Sequence, residues 1–389
     1  MGGLRAAETL RKTGYTGELV VIGDEPHAPY NRPPLSKEVL AEHVDHAAVA
    51  FPLSEILDDV RWIIGNGVVS SDLDARTLTL VDGTVVEYST LIIATGLRPR
   101  RLDELGRPAR GVHAIRTLDD AIALRAELKP GARVVVYGAG FIGCEAAATA
   151  TKLGASVTVV GKGPVPMLRP LGQQLAEDLQ RRNEAHGVTF LNNTRITRIL
   201  GDDHLTGVEL DNGDVLECDV LIEAVGSLPN VEFLAGNDID IESGVHVNNE
   251  LRALRTNGDA WDNVYAIGDV ARFPIPQFDP TTRRVEHWNI PTECAKHVGQ
   301  IIAVMNGAEG SVDEALAKPF KPIPSFWSDQ FDMHILAFGL LGLADQVELV
   351  QGQIDGDCVF EYRRHGELVG VAGIGLRSVV QGYRKEFER

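Results

Sequence analysis

The stretch Arg133-Val-Val-Val-Tyr137 runs directly into Gly138-Ala-Gly140-Phe-Ile-Gly143, and no other feature of the sequence limits the fold as much. The first glycine permits a tight turn, the second lets the backbone approach a phosphate, and the third lets a helix pack close to the strand. Helical spacing continues to about Leu153, and Ser156–Val160 reads as the next apolar strand. Strand, glycine turn, helix and strand make a parallel βαβ unit, whose connection is right-handed. The free N–H groups and positive dipole end of such a helix suit a pyrophosphate. Gly138, Gly140 and Gly143 are therefore the expected phosphate cradle of a dinucleotide.

The rest of the chain frames that unit. At 389 residues, two or three domains are expected. Leu4, Ala7 and Leu10 recur at helical spacing from Gly3 to Thr13, and Gly14 supplies a stop. Glu18–Ile22 predicts a short strand, followed by Gly23, Asp24 and Glu25. The prolines of Pro29–Lys37 predict a loop. Short strands are expected at Trp62–Ile64, Thr77–Val81, Thr90–Ala94 and Val264–Ile267, with Asp82-Gly83 as a hairpin signal. Ala121–Leu128 and Pro291–Met305 read as helices, and Ile335–Ala344 as a buried strand and turn. The series predicts an α/β fold with two Rossmann-like dinucleotide-binding domains, the second inserted in the first. These are residues 1–116 with 246–318, and 117–245, followed by a C-terminal α+β domain over 319–389.

Charge and cysteine usage narrow the function. Lys and Arg number 37 against 55 Asp and Glu, a net charge of −18, which opposes non-specific binding to nucleic acid or an anionic membrane. Cys144, Cys218, Cys294 and Cys358 form no CxxC pair, so a reducing cytoplasm is expected, with neither a disulfide scaffold nor a zinc cluster. No apolar run is long enough to span a bilayer.

The inserted unit departs from the usual dinucleotide pattern in one respect. An acidic residue normally ends the second strand and binds the adenosine ribose. Here Val159-Val160 is followed by Gly161-Lys162. Lys162, with Arg169, could meet a 2′-phosphate and favour NADPH, whereas the retained third glycine suits NADH; NADH is the expectation, with NADPH the alternative. Thr90-Leu-Ile-Ile-Ala-Thr-Gly96 and Val264-Tyr-Ala-Ile-Gly-Asp269 are two further strands ending in small or acidic residues.

The chain resembles the FAD-dependent NAD(P)H:ferredoxin reductases that serve cytochromes P450 and ring-hydroxylating dioxygenases. The markers are Pro29-Tyr-Asn-Arg-Pro-Pro-Leu-Ser-Lys37, Ala94-Thr95-Gly96, Gly138–Glu145, Gly226-x-x-Pro229-Asn230, Ile267-Gly268-Asp269, Glu286-His287-Trp288 and Phe326-Trp-Ser-Asp-Gln330. The resemblance implies that Asp24 or Glu25 binds the FAD adenosine ribose and that Asp269 holds the ribityl-phosphate side. It places Arg32 and Lys37 along the flavin, Trp327 over its ring, and Glu145 beside the nicotinamide. From the residues alone, solvated loop charges are the lesser alternative for Arg32 and Lys37. Trp327 could be a core aromatic, and Glu145 a first-turn complement to the helix dipole.

That family opens with an apolar strand and a GxGxxG turn for the FAD pyrophosphate, whereas this sequence begins Met1-Gly2-Gly3 and keeps only the last glycine, Gly3. Met1 is therefore expected to be an internal methionine of a longer product. The implied reaction carries electrons from NAD(P)H through FAD to a [2Fe-2S] ferredoxin, by a monomer or homodimer. The alternatives are an NAD(P)H oxidase, a flavoprotein feeding a nitrite reductase, or a flavin-free binding protein. Arg283, Arg284, Lys318, Lys321, Arg377, Arg384 and Lys385 are the candidate docking cations.

Overall fold

A computed structural model describes residues 1–42 and 44–388. The chain divides into two compact units: residues 1–31, 50–98 and 228–324, and residues 32–49, 99–227 and 325–389.

The second unit is built on five parallel strands. Their order is Thr189–Leu191, Ser156–Val160, Arg133–Tyr137, Val220–Glu223, Val112–His113. The central strands are mostly apolar because both faces are covered. Val134, Val136, Val157, Val159, Val220 and Ile222 point to one face, where they meet Ala146, Ala147 and Ala150 of the Phe141–Lys152 helix. Val135, Tyr137, Val160 and Leu221 point to the other, against Ile196, Ile199, Val208 and Leu210. Those four belong to an antiparallel meander of Ile196–Leu200, Gly207–Leu210 and Val215–Glu217. Alanines on the helix permit the close approach that Gly143 begins: a Cβ there would lie 2.0 Å from the Gly138 carbonyl oxygen.

The helix expected at Ala121 starts earlier, at Leu118, because Thr117 and Asp120 form a reciprocal capping box. The residues that end this unit form a five-stranded antiparallel sheet, ordered Ser325–Gln330, Met333–Gly339, Glu367–Ile374, Cys358–Arg364, Gln346–Gly352.

In the first unit the helix Gly2–Lys12 packs against Ile290–Met305, with so little room at Gly299 that a Cβ would sit 2.7 Å from Thr9 Cγ2. Val20–Gly23 pairs in parallel with Arg61–Ile64, and Leu91–Ile93 pairs in parallel with Ala260–Ala266. The strand expected to end at Val81 ends at Leu80. Leu80 is buried and Val81 is 70% exposed, so alternation persists, but the ladder gives way to the Asp82-Gly83 turn, where the Gly83 N–H donates to the Leu80 carbonyl at 3.0 Å. The proline-rich loop contains one turn of 3₁₀ helix, Pro33–Ser36, with the prolines at its start, where a missing N–H costs no intrahelical bond.

Candidate active site

The glycine fingerprint has the geometry its spacing predicts. Gly138 has φ of +119°, and a Cβ on it would meet the Ala224 carbonyl oxygen at 2.2 Å. Gly143 is equally closed. Gly140 is different: no atom lies within 4 Å of the position its Cβ would take. The residue caps the Phe141–Lys152 helix without a side-chain hydrogen bond. An open position before uncapped helical N–H groups is what a pyrophosphate requires.

One helical turn further along, the buried carboxylate of Glu145 collects three donors. Ser36 Oγ donates to Oε2 at 2.6 Å and Ser328 Oγ donates to Oε1 at 2.7 Å. Lys37 Nζ forms an ion pair with Oε2 at 2.9 Å. Ser328 in turn accepts from Gln330 Nε2 at 3.2 Å, and Gln330 Oε1 accepts from Asn183 at 3.0 Å. Ser36 is held by its own backbone, since Thr149 Oγ1 donates to the Ser36 carbonyl at 2.8 Å. Three distant stretches of sequence thus converge on one carboxylate. Glu145 lies beyond the first turn of its helix, which contains no acidic residue, so it does not serve as a dipole complement. Lys37 is not a solvated loop charge.

The other expected residues of this unit are also defined. Arg32 Nη1 donates to the Arg116 carbonyl at 2.6 Å. Trp327 is 37% exposed rather than packed in the core, on the strand that also carries Ser328. Its neighbour Phe326 lies against Phe141 of the fingerprint helix, with ring centroids 4.7 Å apart. Gly226 has φ of +100°, and the space beside it is open. Lys162 is exposed, with Nζ 5.8 Å from the centroid of the Tyr137 ring.

The first unit gathers a second set. Gly3 lies in the Gly2–Lys12 helix, 3.6 Å (from its would-be Cβ) from Val21 of the first parallel strand. Asp24 and Glu25 follow that strand, and the Tyr30 hydroxyl donates to Glu25. Thr95 Oγ1 donates to the Asn230 carbonyl at 2.7 Å, and Asn230 Nδ2 returns a bond to the Thr95 carbonyl. Gly96 has φ of +63° and Gly268 +70°. Asp269 follows Gly268, half-buried, in a short 3₁₀ turn after the Ala260–Ala266 strand. Carboxylates at strand ends can accept from ribose hydroxyls, and glycines there let backbone come close to a ligand.

Thiol chemistry is disfavoured in both units. All four cysteines are buried and free. Burial pushes the thiols of Cys144, Cys218 and Cys294 up to about 12, and that of Cys358 upward as well. A thiolate nucleophile is therefore not accessible near neutral pH. No helix among the described residues is long and apolar enough to cross a membrane.

The sequence alone assigned no part to Ser36 or Ser328. Each adjoins a residue that was singled out, Lys37 and Trp327, and that adjacency was the available signal. The buried Glu223, which pairs with Arg101 at 2.7 Å and accepts from the Leu102 N–H, also went unassigned. Burial raises its pKa, and Arg101 opposes the rise.

The chain is similar to several known reductases. Rhodocoxin reductase of Rhodococcus erythropolis is 33% identical over 356 residues, which is 91% of this chain and 79% of the relative. The ferredoxin–NAD(+) reductase component of the anthranilate 1,2-dioxygenase system of Burkholderia cepacia is 34% identical, covering 98% of this chain and 90% of that protein. The crystal structure of the ferredoxin reductase for the CYP199A2 system from Rhodopseudomonas palustris superposes with a TM-score of 0.88 at 34% identity. It covers 99% of this chain and 91% of the other. Residues 1–293 match the pyridine nucleotide-disulphide oxidoreductase family. The family match and these similarities place the chain: it belongs to the pyridine nucleotide-disulphide oxidoreductase family, among the FAD- and NAD(P)H-dependent ferredoxin reductases.

Proposed function

We propose that this protein passes electrons from NAD(P)H through FAD to a [2Fe-2S] ferredoxin that supplies a cytochrome P450 or a ring-hydroxylating dioxygenase. The observation that carries the reading is the buried Glu145 cluster one turn beyond the glycine cradle, joined to Lys37 at 2.9 Å. FAD, when bound, accepts a hydride and releases electrons one at a time, chemistry that no side chain supplies. The protein's part is binding, orientation and electrostatics. Residues 117–245 hold NAD(P)H, with Gly138, Gly140 and Gly143 around its pyrophosphate. Residues 1–116 and 246–318 hold FAD, with Asp24 or Glu25 on its adenosine ribose, Gly3, Thr95, Gly96 and Gly268 keeping backbone close, and Asp269 on the ribityl-phosphate side; Gly226, in the 117–245 segment, is a further cofactor-binding glycine. Residues 319–389 form an interface domain.

Lys37 and Glu145 then work as a pair. Lys37 would supply positive charge toward a bound flavin, and Glu145 keeps the ammonium in one position. Ser36 and Ser328 fix the carboxylate, so orientation is set before a substrate arrives. Trp327 offers an exposed indole face that excludes water from the reacting rings. The high thiol pKa values support direct transfer from flavin to an external one-electron acceptor, because an internal dithiol relay is disfavoured.

An absorbance spectrum tests the proposal. Purified protein supplied with FAD is expected to be yellow, to bleach on addition of NADH or NADPH, and to reduce a [2Fe-2S] ferredoxin much faster than it reduces oxygen. A colourless protein after FAD addition overturns the flavin reading. A flavin that bleaches but passes electrons only to oxygen overturns the ferredoxin reading.

A further inference from the structure

We propose that Lys162 selects NADPH over NADH by taking the 2′-phosphate of the adenosine ribose at the C-terminal end of the Ser156–Val160 strand. The inference rests on the reading that the Gly138–Gly143 cradle holds the nicotinamide dinucleotide.

Three observations carry it. First, the place where a ribose-binding carboxylate would stand is tight as well as vacant of acid. Gly161 follows the strand directly, and a Cβ built on it would lie 3.1 Å from the Cβ of Ala139, the residue between the first two glycines of the cradle. Its backbone is also fixed on both sides. The Gly161 N–H donates to the Leu191 carbonyl and its own carbonyl accepts from Thr194, each at 2.9 Å. A side chain at 161 would press on Ala139, which would have to yield by a few tenths of an ångström.

Second, the next residue brings a cation with no ion-pair partner among the described residues. Lys162 is exposed, forms no ion pair among the described residues, and rests near the face of Tyr137. Tyr137 is the last residue before Gly138, and it lies opposite Val160 in the parallel register. The ammonium is thus held beside the crossing point of the two strand ends, where the ribose of a bound dinucleotide must pass.

Third, neighbouring cations reinforce the corner. Met167 N–H donates to the Ala139 carbonyl at 2.9 Å, which ties the start of the Leu168–Ala185 helix to the cradle and brings exposed Arg169 to that side. Arg195, also exposed, directly precedes Ile196, which packs in the same buried cluster as Tyr137. An ammonium is a compact phosphate ligand. A ribose diol offers it much less.

The test uses the FAD-supplemented full chain and calorimetric titration with two probes, 2′,5′-ADP and 5′-AMP, which differ only in the 2′-phosphate. The wild type is expected to bind 2′,5′-ADP about tenfold more tightly, the size of one charge-assisted contact. Lys162→Ala is expected to abolish that difference while leaving 5′-AMP affinity and thermal stability unchanged, since the side chain is exposed. Raised salt should narrow the difference in the wild type. Ala139→Gly with Gly161→Glu, which opens room for a carboxylate, is expected to favour 5′-AMP. Equal affinity for both probes in the wild type overturns the proposal, and so does a Lys162→Ala variant that weakens both alike. Failure of the wild type to bind either probe overturns the cradle reading instead.

Discussion

At the scale of single residues, the chain has placed an ion pair where it is costly to leave incomplete. The Glu145 side chain is 5% exposed and that of Lys37 15%. Desolvation of both groups is offset by their mutual attraction and by the two serine hydroxyls. Removing one partner leaves an uncompensated buried charge, at a typical cost of about 3–5 kcal/mol, and the residual exposure of Lys37 moves the expectation to its lower end. Lys37→Met is therefore expected to destabilise the protein by about 3 kcal/mol in urea unfolding. Glu145→Gln retains hydrogen-bonding atoms for both serines, so Lys37→Met combined with Glu145→Gln should recover most of the loss. A double-mutant cycle isolates the coupling. Additive effects of the two changes would mean that the pair is not formed in solution.

Among the elements, two glycines of one turn are expected to behave oppositely. At Gly143 a methyl group would collide with the Gly138 carbonyl at 2.0 Å, so Gly143→Ala must push the helix from the sheet. Overpacking of this kind costs about 1–3 kcal/mol or more, read as a lowered melting temperature. Gly140 faces open space and its φ of −88° suits any residue, so Gly140→Ala should melt within about 2 °C of the wild type. The same methyl group occupies the phosphate position, and 5′-AMP or 2′,5′-ADP binding should fall at least tenfold. Equal melting temperatures for the two variants would contradict the cradle geometry. Both glycines were legible in the sequence, as were Arg133–Tyr137 and Ser156–Val160, because continuously apolar strands between glycines leave a strong local signal. The Leu168–Ala185 helix was not, because Pro170 and Gly172 interrupt its opening and Gly172 adopts φ of +73° inside it. The meander from Ile196 to Glu217 was missed for a different reason. Its strands are three to five residues long, and their inward side chains acquire meaning only against the parallel sheet. The Glu145 cluster joins residues 36, 37, 145 and 328, contacts that no local pattern encodes.

For the whole molecule, the question is how a chain of net charge −18 meets a partner. Ferredoxins are usually acidic, so long-range repulsion opposes docking unless a local cationic face overrides it. Of the candidate cations, Arg283 pairs with Asp279, Arg284 with Glu286 and Arg384 with Glu388. Lys318, Lys321, Arg377 and Lys385 are exposed and form no ion pair among the described residues. The first two belong to one unit and the last two to the other. Screening distinguishes the two effects by sign. Raising ionic strength from about 0.01 to 0.1 M shortens the Debye length from about 30 to about 10 Å. If a local face guides docking, the rate of ferredoxin reduction should fall by roughly threefold or more over that range, while reduction of a small neutral dye stays constant. If the net charge dominates, salt relieves the repulsion and the ferredoxin rate rises. A rise, or no change, would rule out the cationic face. Charge reversal then assigns it: Lys318→Glu with Lys321→Glu, tested against Arg377→Glu with Lys385→Glu, should flatten the salt response in only the unit that receives the partner. These residues lie outside both glycine-rich donor sets, so the dye rate of either variant should match the wild type and separate a docking defect from a damaged site.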